Sequence, residues 1–197
     1  MAGLKIKYTK TERARQKKIL KVSLRMLPLF EAMEKSLMVT INSITEKIEE
    51  IRYKIECNQD RAKPWLAIMN DEWVEIGSYI SVNEIVTKPI DIAGVRVHQY
   101  ESVDFDVKPI TENTPLWVDD AIEFMQEQLQ LLAEIKCLED QIELLEEELL
   151  EVRARVKLFE NRRIPNAQIA IRKIGQKLQD DERLMIATSK VMKSKMN

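Results

Sequence analysis

IKCLEDQIELLEEELLEVRARVKLF, residues 135–159, is the stretch whose reading decides the fold. Its apolar residues Ile135, Leu138, Ile142, Leu145, Leu149, Val152, Val156 and Phe159 step by 3 and 4 in strict alternation. That rhythm keeps one stripe of an α-helix turned toward a partner helix, and an uninterrupted run of it reads as a coiled-coil seam. Between the seam positions stand Glu139, Asp140, Glu143, Glu146, Glu147, Glu148 and Glu151. Acidic side chains so placed read as a solvated helix face, not as metal ligands.

Upstream, Pro115 opens the helix, and Asp119 and Asp120 suit the positive end of its dipole. Downstream, Ile164, Ala167, Ile171, Ile174 and Leu178 keep the rhythm but are displaced by one residue. Pro165 sits at the slip. A proline that removes a hydrogen bond where an extra residue enters the seam predicts a local bulge or kink.

A partner seam lies near the start of the chain. Thr9 or Thr11 is placed to cap a helix, with Glu12 in its first turn. Ile19, Val22, Met26, Leu29 and Met33, followed by Leu37, Ile41, Ile44, Ile48, Ile51 and Ile55, give the matching stripe. Pro28 is expected to bend this helix without ending it. The segment CNQDRAKP at 57–64 reads as a break, and Asp60 and Pro64 as the start of a short helix carrying Trp65, Ile68, Met69, Trp73 and Ile76. The period then becomes 2, with Ile80 and Val82, Val95 and Val97, and Val103, Phe105 and Val107 alternating with polar residues. Ala93-Gly94 falls between two β-branched runs as a hairpin turn.

The expected architecture is mainly α: a long antiparallel two-helix coiled coil with a small central β-hairpin and short-helix insert at the turn end. Its parts are an N-terminal coiled-coil helix (1–58), the insert (59–114) and a C-terminal coiled-coil helix (115–197). Antiparallel pairing predicts that Cys57 and Cys137, which end and begin the two seams, lie at similar height. Trp65, Trp73 and Trp117 flank the insert and are expected to form its core.

The net charge of −2 conceals an asymmetry. Residues 1–25 hold nine Lys/Arg against Glu12 alone, residues 153–197 hold twelve against four, and residues 26–152 hold ten against twenty-eight. Basic ends on an acidic body point to an electrostatic partner. Four scattered glycines leave no phosphate-cradling loop, and one histidine, His98, excludes a His-based triad or multi-histidine metal site. Two cysteines without CxxC spacing fit a reducing compartment, and no stretch is apolar enough to span a bilayer or act as a secretory signal. The expectation is a cytoplasmic, non-catalytic protein without cofactor or metal.

Four blocks of the sequence resemble the D subunit of the V/A-type rotary ATPases, in its short bacterial form. These are LKIKYTKTERARQKKILKVSLRMLPLFEAMEKSL at the start, with its Leu27-Pro28 step, IDIAGVRV in the hairpin, and LFENRRIPNAQIAIRKIGQKLQDDER near the end, with paired Arg162 and Arg163 and the Ile164-Pro165 step. Between Arg163 and Pro165 a single residue stands where longer members carry more, and residues 60–80 match poorly.

The resemblance implies a central-stalk rotor coupling ATP hydrolysis or synthesis to rotation of a membrane ring and to proton or sodium transport. It implies partners in the catalytic A and B subunits, the F subunit and a cup-like subunit (C or d), with the chain peripheral to the membrane and neither inserted in it nor bound to nucleic acid. Its basic tip would offer Lys10, Arg13, Lys17, Lys18, Arg162, Arg163, Arg172, Lys173 and Arg183 to the ring. Its insert would offer Ile80, Val82, Val95 and Val97 to the F subunit. Two other classes share features of the sequence. A prefoldin-like chaperone subunit would need apolar tips where this chain is basic, and a coiled-coil nucleic-acid adaptor would show salt-dependent binding.

Overall fold

A computed structural model of the chain describes residues 6–69, 79–108, 115 and 117–196. In chain order these form α1 (Lys10–Met69), β1 (Ile80–Ile92), β2 (Val95–Val107), α2 (Trp117–Leu158), a π-helical turn (Phe159–Arg163) and α3 (Ile164–Met196). The protein is mainly helical, with a two-stranded antiparallel hairpin between the N- and C-terminal helices, as the hydrophobic periods predict. It divides into two units, residues 1–34 with 150–197, and residues 35–149.

In the unit holding both termini, the start of α1 runs antiparallel to the end of α2 and to α3. Arg13 lies against Gly175, Phe30 against Phe159, and Glu34 against Arg153, so the partner number falls as the α1 number rises. Thr9 is the helix cap. Its Oγ1 accepts from the Glu12 amide at 3.1 Å and its carbonyl from the Arg13 amide at 3.0 Å. The seam on α1 departs from the expected stripe here. Val22 and Leu29 are 51% and 58% exposed, whereas Ser23 is 2% exposed and Phe30 half-buried. The buried line runs Gln16, Ile19, Ser23, Met26, Phe30, Met33, which is an equally regular alternation of 4 and 3. Apolar residues stand on both candidate stripes, and packing against Phe159 selects the one containing Phe30.

The irregularity expected at Pro165 takes a definite form. Residues 159–163 are wound as one π-turn, in which the Ile164 amide donates to the Phe159 carbonyl five residues back. The wide turn absorbs the extra residue, so burial passes from Val152, Val156 and Phe159 to Ala167, Ala170 and Ile174 without leaving the seam. It also relieves the clash between the proline ring and the preceding turn's carbonyl.

In the other unit the rest of α1 packs antiparallel on most of α2. Leu37, Ile44, Ile48, Ile51 and Ile55 of α1 and Ile135, Leu138, Leu145 and Leu149 of α2 are buried, on the stripes read from the sequence, with Ile41 and Ile142 half-buried. Lys47 and Arg52 reach across to Glu134 (2.9 Å) and Glu139 (3.0 Å). The break expected at 57–64 is absent, because α1 continues to Met69. The stripe simply changes character, running Ile55, Asn58, Ala62, with Ala62 only 1% exposed, and an Asp60–Lys63 ion pair bridges the turn before Pro64. The rest of the expected short helix, including Trp73 and Ile76, lies outside the described residues.

Cys57 and Cys137 are both free. Cys57 is half-buried and Cys137 buried.

The hairpin turns at Ala93 (φ 54°) and Gly94 (φ 88°), two consecutive positive values that define a type I′ turn. In such a hairpin the closing pair, Ile92 and Val95, exchanges hydrogen bonds, so alternation makes Pro89 and His98 a non-hydrogen-bonded pair. Pro89 thus forfeits no ladder bond, and the His98 carbonyl points off the outer edge of β2. There the buried Gln141 of α2 donates to it through Nε2 at 2.7 Å. The base of the hairpin is fixed separately. Ile80, Val118 and Ile122 form a cluster with Tyr79, Phe105, Trp117, Met125 and Leu129, and the Lys108 amide donates to the Tyr79 carbonyl at 2.9 Å. Replacing Gln141 with alanine should cost about 1–2 kcal/mol by leaving that carbonyl unpaired. Amide exchange that accelerates in β2 but not in the α2 seam would verify this local effect, and uniform acceleration would contradict it.

Candidate functional site

Charge follows the division into units. The unit with both termini holds twenty-one Lys/Arg and eight Asp/Glu, and the other holds ten and twenty-five. On the basic unit α1 contributes Lys10, Arg13, Lys17 and Lys18, the π-turn Arg162 and Arg163, and α3 Arg172, Lys173 and Arg183. All are exposed except Arg13, which is half-buried.

The structure brings some of these together. Lys10, Arg13 and Lys17 share a groove with Ala14, Gly175, Leu178, Gln179 and Glu182. Arg13 and Arg172 line a second groove with Leu20 and Ile171, and Lys18 and Arg163 a third with Ile19, Val22 and Ser23. Among the described residues their counter-charges are few and loose, since Lys10 to Glu182 and Arg183 to Asp180 both measure 4.0 Å and are well exposed. Arg163 is steadied otherwise, with its Cζ 4.9 Å from the centroid of the Phe159 ring. Arg162 and Lys173 stand on the surface of their helical segments.

The insert candidates separate. Ile80 and Val97 are 6% and 0% exposed within their own unit, so they hold the hairpin in place. Val82 is 43% exposed and Val95 half-buried, with Val86 and Val107 also exposed. Beside the hairpin, Tyr100 lines an open groove of about 460 Å³ with Lys54, Asn58, Arg61, Glu127, Gln130, Leu131 and Glu134. Burial, then Glu134 and Cys137, raises the Tyr100 hydroxyl above its ordinary range. Burial, then Asp140 and Glu134, does the same to the Cys137 thiol, which stays protonated and unreactive at neutral pH.

Among the described residues no group of three or more His, Cys, Asp or Glu is arranged to hold a metal ion. No helix among them is long and apolar enough to cross a membrane. Residues that sequence reasoning passed over include Gly175 and a run of exposed apolar side chains on α3, namely Leu184, Met185, Ile186, Val191 and Met192. The signal for Gly175 was its isolation inside a helical pattern, which marks a close approach of another group.

A pair of long helical segments bracketing a β-hairpin, with its charge sorted by unit, defines a class of helical coiled-coil subunits. The family model for the ATP synthase D subunit matches residues 12–194, and the chain belongs to that family. It is 31% identical over 193 residues to the V-type ATP synthase D subunit of Borreliella burgdorferi, covering 98% of this chain and 95% of the relative. It is 29% identical over 209 residues to that of Clostridium botulinum (99% and 97%) and 27% identical over 209 residues to that of Clostridioides difficile (99% and 92%).

Proposed function

We propose that this chain is the central rotor stalk of a V/A-type rotary ATPase, without a catalytic centre of its own. It transmits torque between ATP hydrolysis or synthesis in a ring of A and B subunits and a membrane ring carrying protons or sodium. It works on the cytoplasmic side, peripheral to the membrane, with the F subunit and the cup-like subunit as further partners. The observation that carries the reading is the sorting of charge in a chain of the D-subunit family, whose terminal unit has a large basic excess and few internal counter-ions.

Continuous helical seams resist twisting and so suit torque. Hydrated Lys and Arg side chains attract acidic ring surfaces over several ångströms without fixing one register, which lets the tip pass successive subunits. Lys10, Arg13, Lys17, Lys18, Arg162, Arg163, Arg172, Lys173 and Arg183 are assigned to the ring. Of the insert, Val82 and Val95 are assigned to the F subunit, since Ile80 and Val97 are occupied by internal packing.

The test reverses charge at Lys10, Arg13, Lys17 and Lys18 together, replacing each with Glu. Retention of the chain by the A–B ring at moderate salt should fall at least about 100-fold, because like charges replace attraction at several contacts. Rotation-coupled hydrolysis should be lost with it. Unchanged retention and coupling would refute the assignment. Tight, salt-dependent binding of duplex DNA by the isolated chain, with no affinity for the ring, would favour a nucleic-acid adaptor instead.

A further inference from the structure

We infer that Arg13 and Gly175 together form a receptor for one carboxylate side chain of a protein partner, an inference that rests on the rotor reading above and narrows it to a single contact. Of the nine basic candidates, Arg13 is the one that is not freely solvated. Its side chain lies across Gly175, so that a Cβ added there would sit 3.3 Å from Nη2, 3.5 Å from Cζ and 3.7 Å from Nε. Its Nε is shut off from solvent and has no hydrogen-bond partner among the described residues. The carboxylates on this face make their contacts with other groups. Glu12 accepts from Gln16 at 2.8 Å and faces Arg15 at 3.8 Å, and Glu182 faces Lys10 at 4.0 Å.

The fold therefore holds a partly desolvated cation in place with no ion pair of its own among the described residues, although Glu182 lines one of its grooves. Desolvating a charge without a partner is unfavourable, and a counter-charge arriving from outside at the accessible Nη groups offsets part of that cost. Two grooves, of about 350 Å³ and 340 Å³, open on the guanidinium, each roomy enough for a carboxylate and its stem. Their walls carry Leu20 and Ile171 on one side and Ala14 and Leu178 on the other, aliphatic surface suited to the methylenes of Asp or Glu. A carboxylate matches the planar fork of the guanidinium with two parallel hydrogen bonds. Neither groove is lined by an aromatic side chain on which a base would stack, which favours protein over nucleic acid. A Cβ at position 175 would press on the guanidinium, which must then shift by a few tenths of an ångström.

The experiment titrates the full-length chain against the assembled A–B ring at several salt concentrations. Variants are Gly175→Ala, Arg13→Lys and, as a single-charge control outside the site, Lys190→Gln. Gly175→Ala removes no charge, yet it should weaken binding by about tenfold or more, as should Arg13→Lys, which keeps the charge but loses the fork. Lys190→Gln should change binding by less than about twofold. Circular dichroism establishes that each variant is folded.

If Gly175→Ala and Arg13→Lys both bind the ring like the wild type, the receptor is disproved while the rotor reading stands. If the wild-type chain itself ignores the ring, both fall. Loss of inorganic phosphate or duplex DNA binding in Gly175→Ala, with ring binding intact, would overturn the carboxylate assignment.

Discussion

Phe159→Ala is expected to destabilise the terminal unit by about 3–5 kcal/mol, the usual cost of removing a buried aromatic ring. Phe159 is 7% exposed and begins the π-turn, so its ring fills the space where the helical repeat is irregular. The Phe30 ring meets it edge-on, with centroids 5.3 Å apart at 64°, and the Arg163 guanidinium covers it at 4.9 Å. Two companion substitutions apportion the loss. Phe159→Leu keeps most of the apolar volume and should cost about 1–2 kcal/mol, since ring-edge and cation–π contacts contribute that order together. Arg163→Ala should cost only about 0.5–1 kcal/mol, because the guanidinium is exposed. Urea unfolding followed by helical circular dichroism measures all three. Equal losses for the leucine and alanine variants would mean that ring geometry, not volume, holds the π-turn.

The second large effect belongs to the acidic unit. Leu145 is fully buried in the α1–α2 seam, and truncation to alanine should cost about 2.5–5 kcal/mol, from lost transfer energy and the cavity left behind. Its neighbour Leu144 is 39% exposed, and the same truncation there should cost less than about 1 kcal/mol. The contrast between adjacent leucines tests the register of the helix directly. Comparable losses at the two positions would place the seam elsewhere.

Much of the fold is legible in the sequence, for an identifiable reason. Where one stripe is apolar at every step, as along Ile135–Phe159 or Ile44–Ile55, the scattered apolar residues beside it, such as Leu144 and Leu150, do not form a rival stripe, and periodicity names most of the core residues. Ala93-Gly94 is equally readable, since two consecutive left-handed residues accommodate few other sequences. The displaced seam at Pro165 requires an irregularity, and the π-turn is the one that keeps both flanking stripes buried.

The seams at either end of α1 are not readable in the same way. Near residue 22 two stripes are both apolar, and the one containing Ser23 and Phe30 is chosen by the shape of the opposing helices. Near residue 60 the seam passes to Asn58 and Ala62, whose polarity and small size hide it, so a helix that continues looks like one that ends. The basic candidates are countable from composition, but their differences are not. That Arg13 is half-buried over Gly175 while Lys17 stands in solvent depends on how closely two helices approach.

By itself, the sequence determined the helical seams, the hairpin with its turn, and the sorting of basic from acidic residues, because hydrophobic period, backbone preference and charge are properties of the chain alone. Only the tertiary structure decided which of two apolar stripes is buried, how the extra residue before Pro165 is absorbed, and which basic candidate is half-buried. Each of those is settled by the surface a helix meets, and that surface is made by residues far away along the chain.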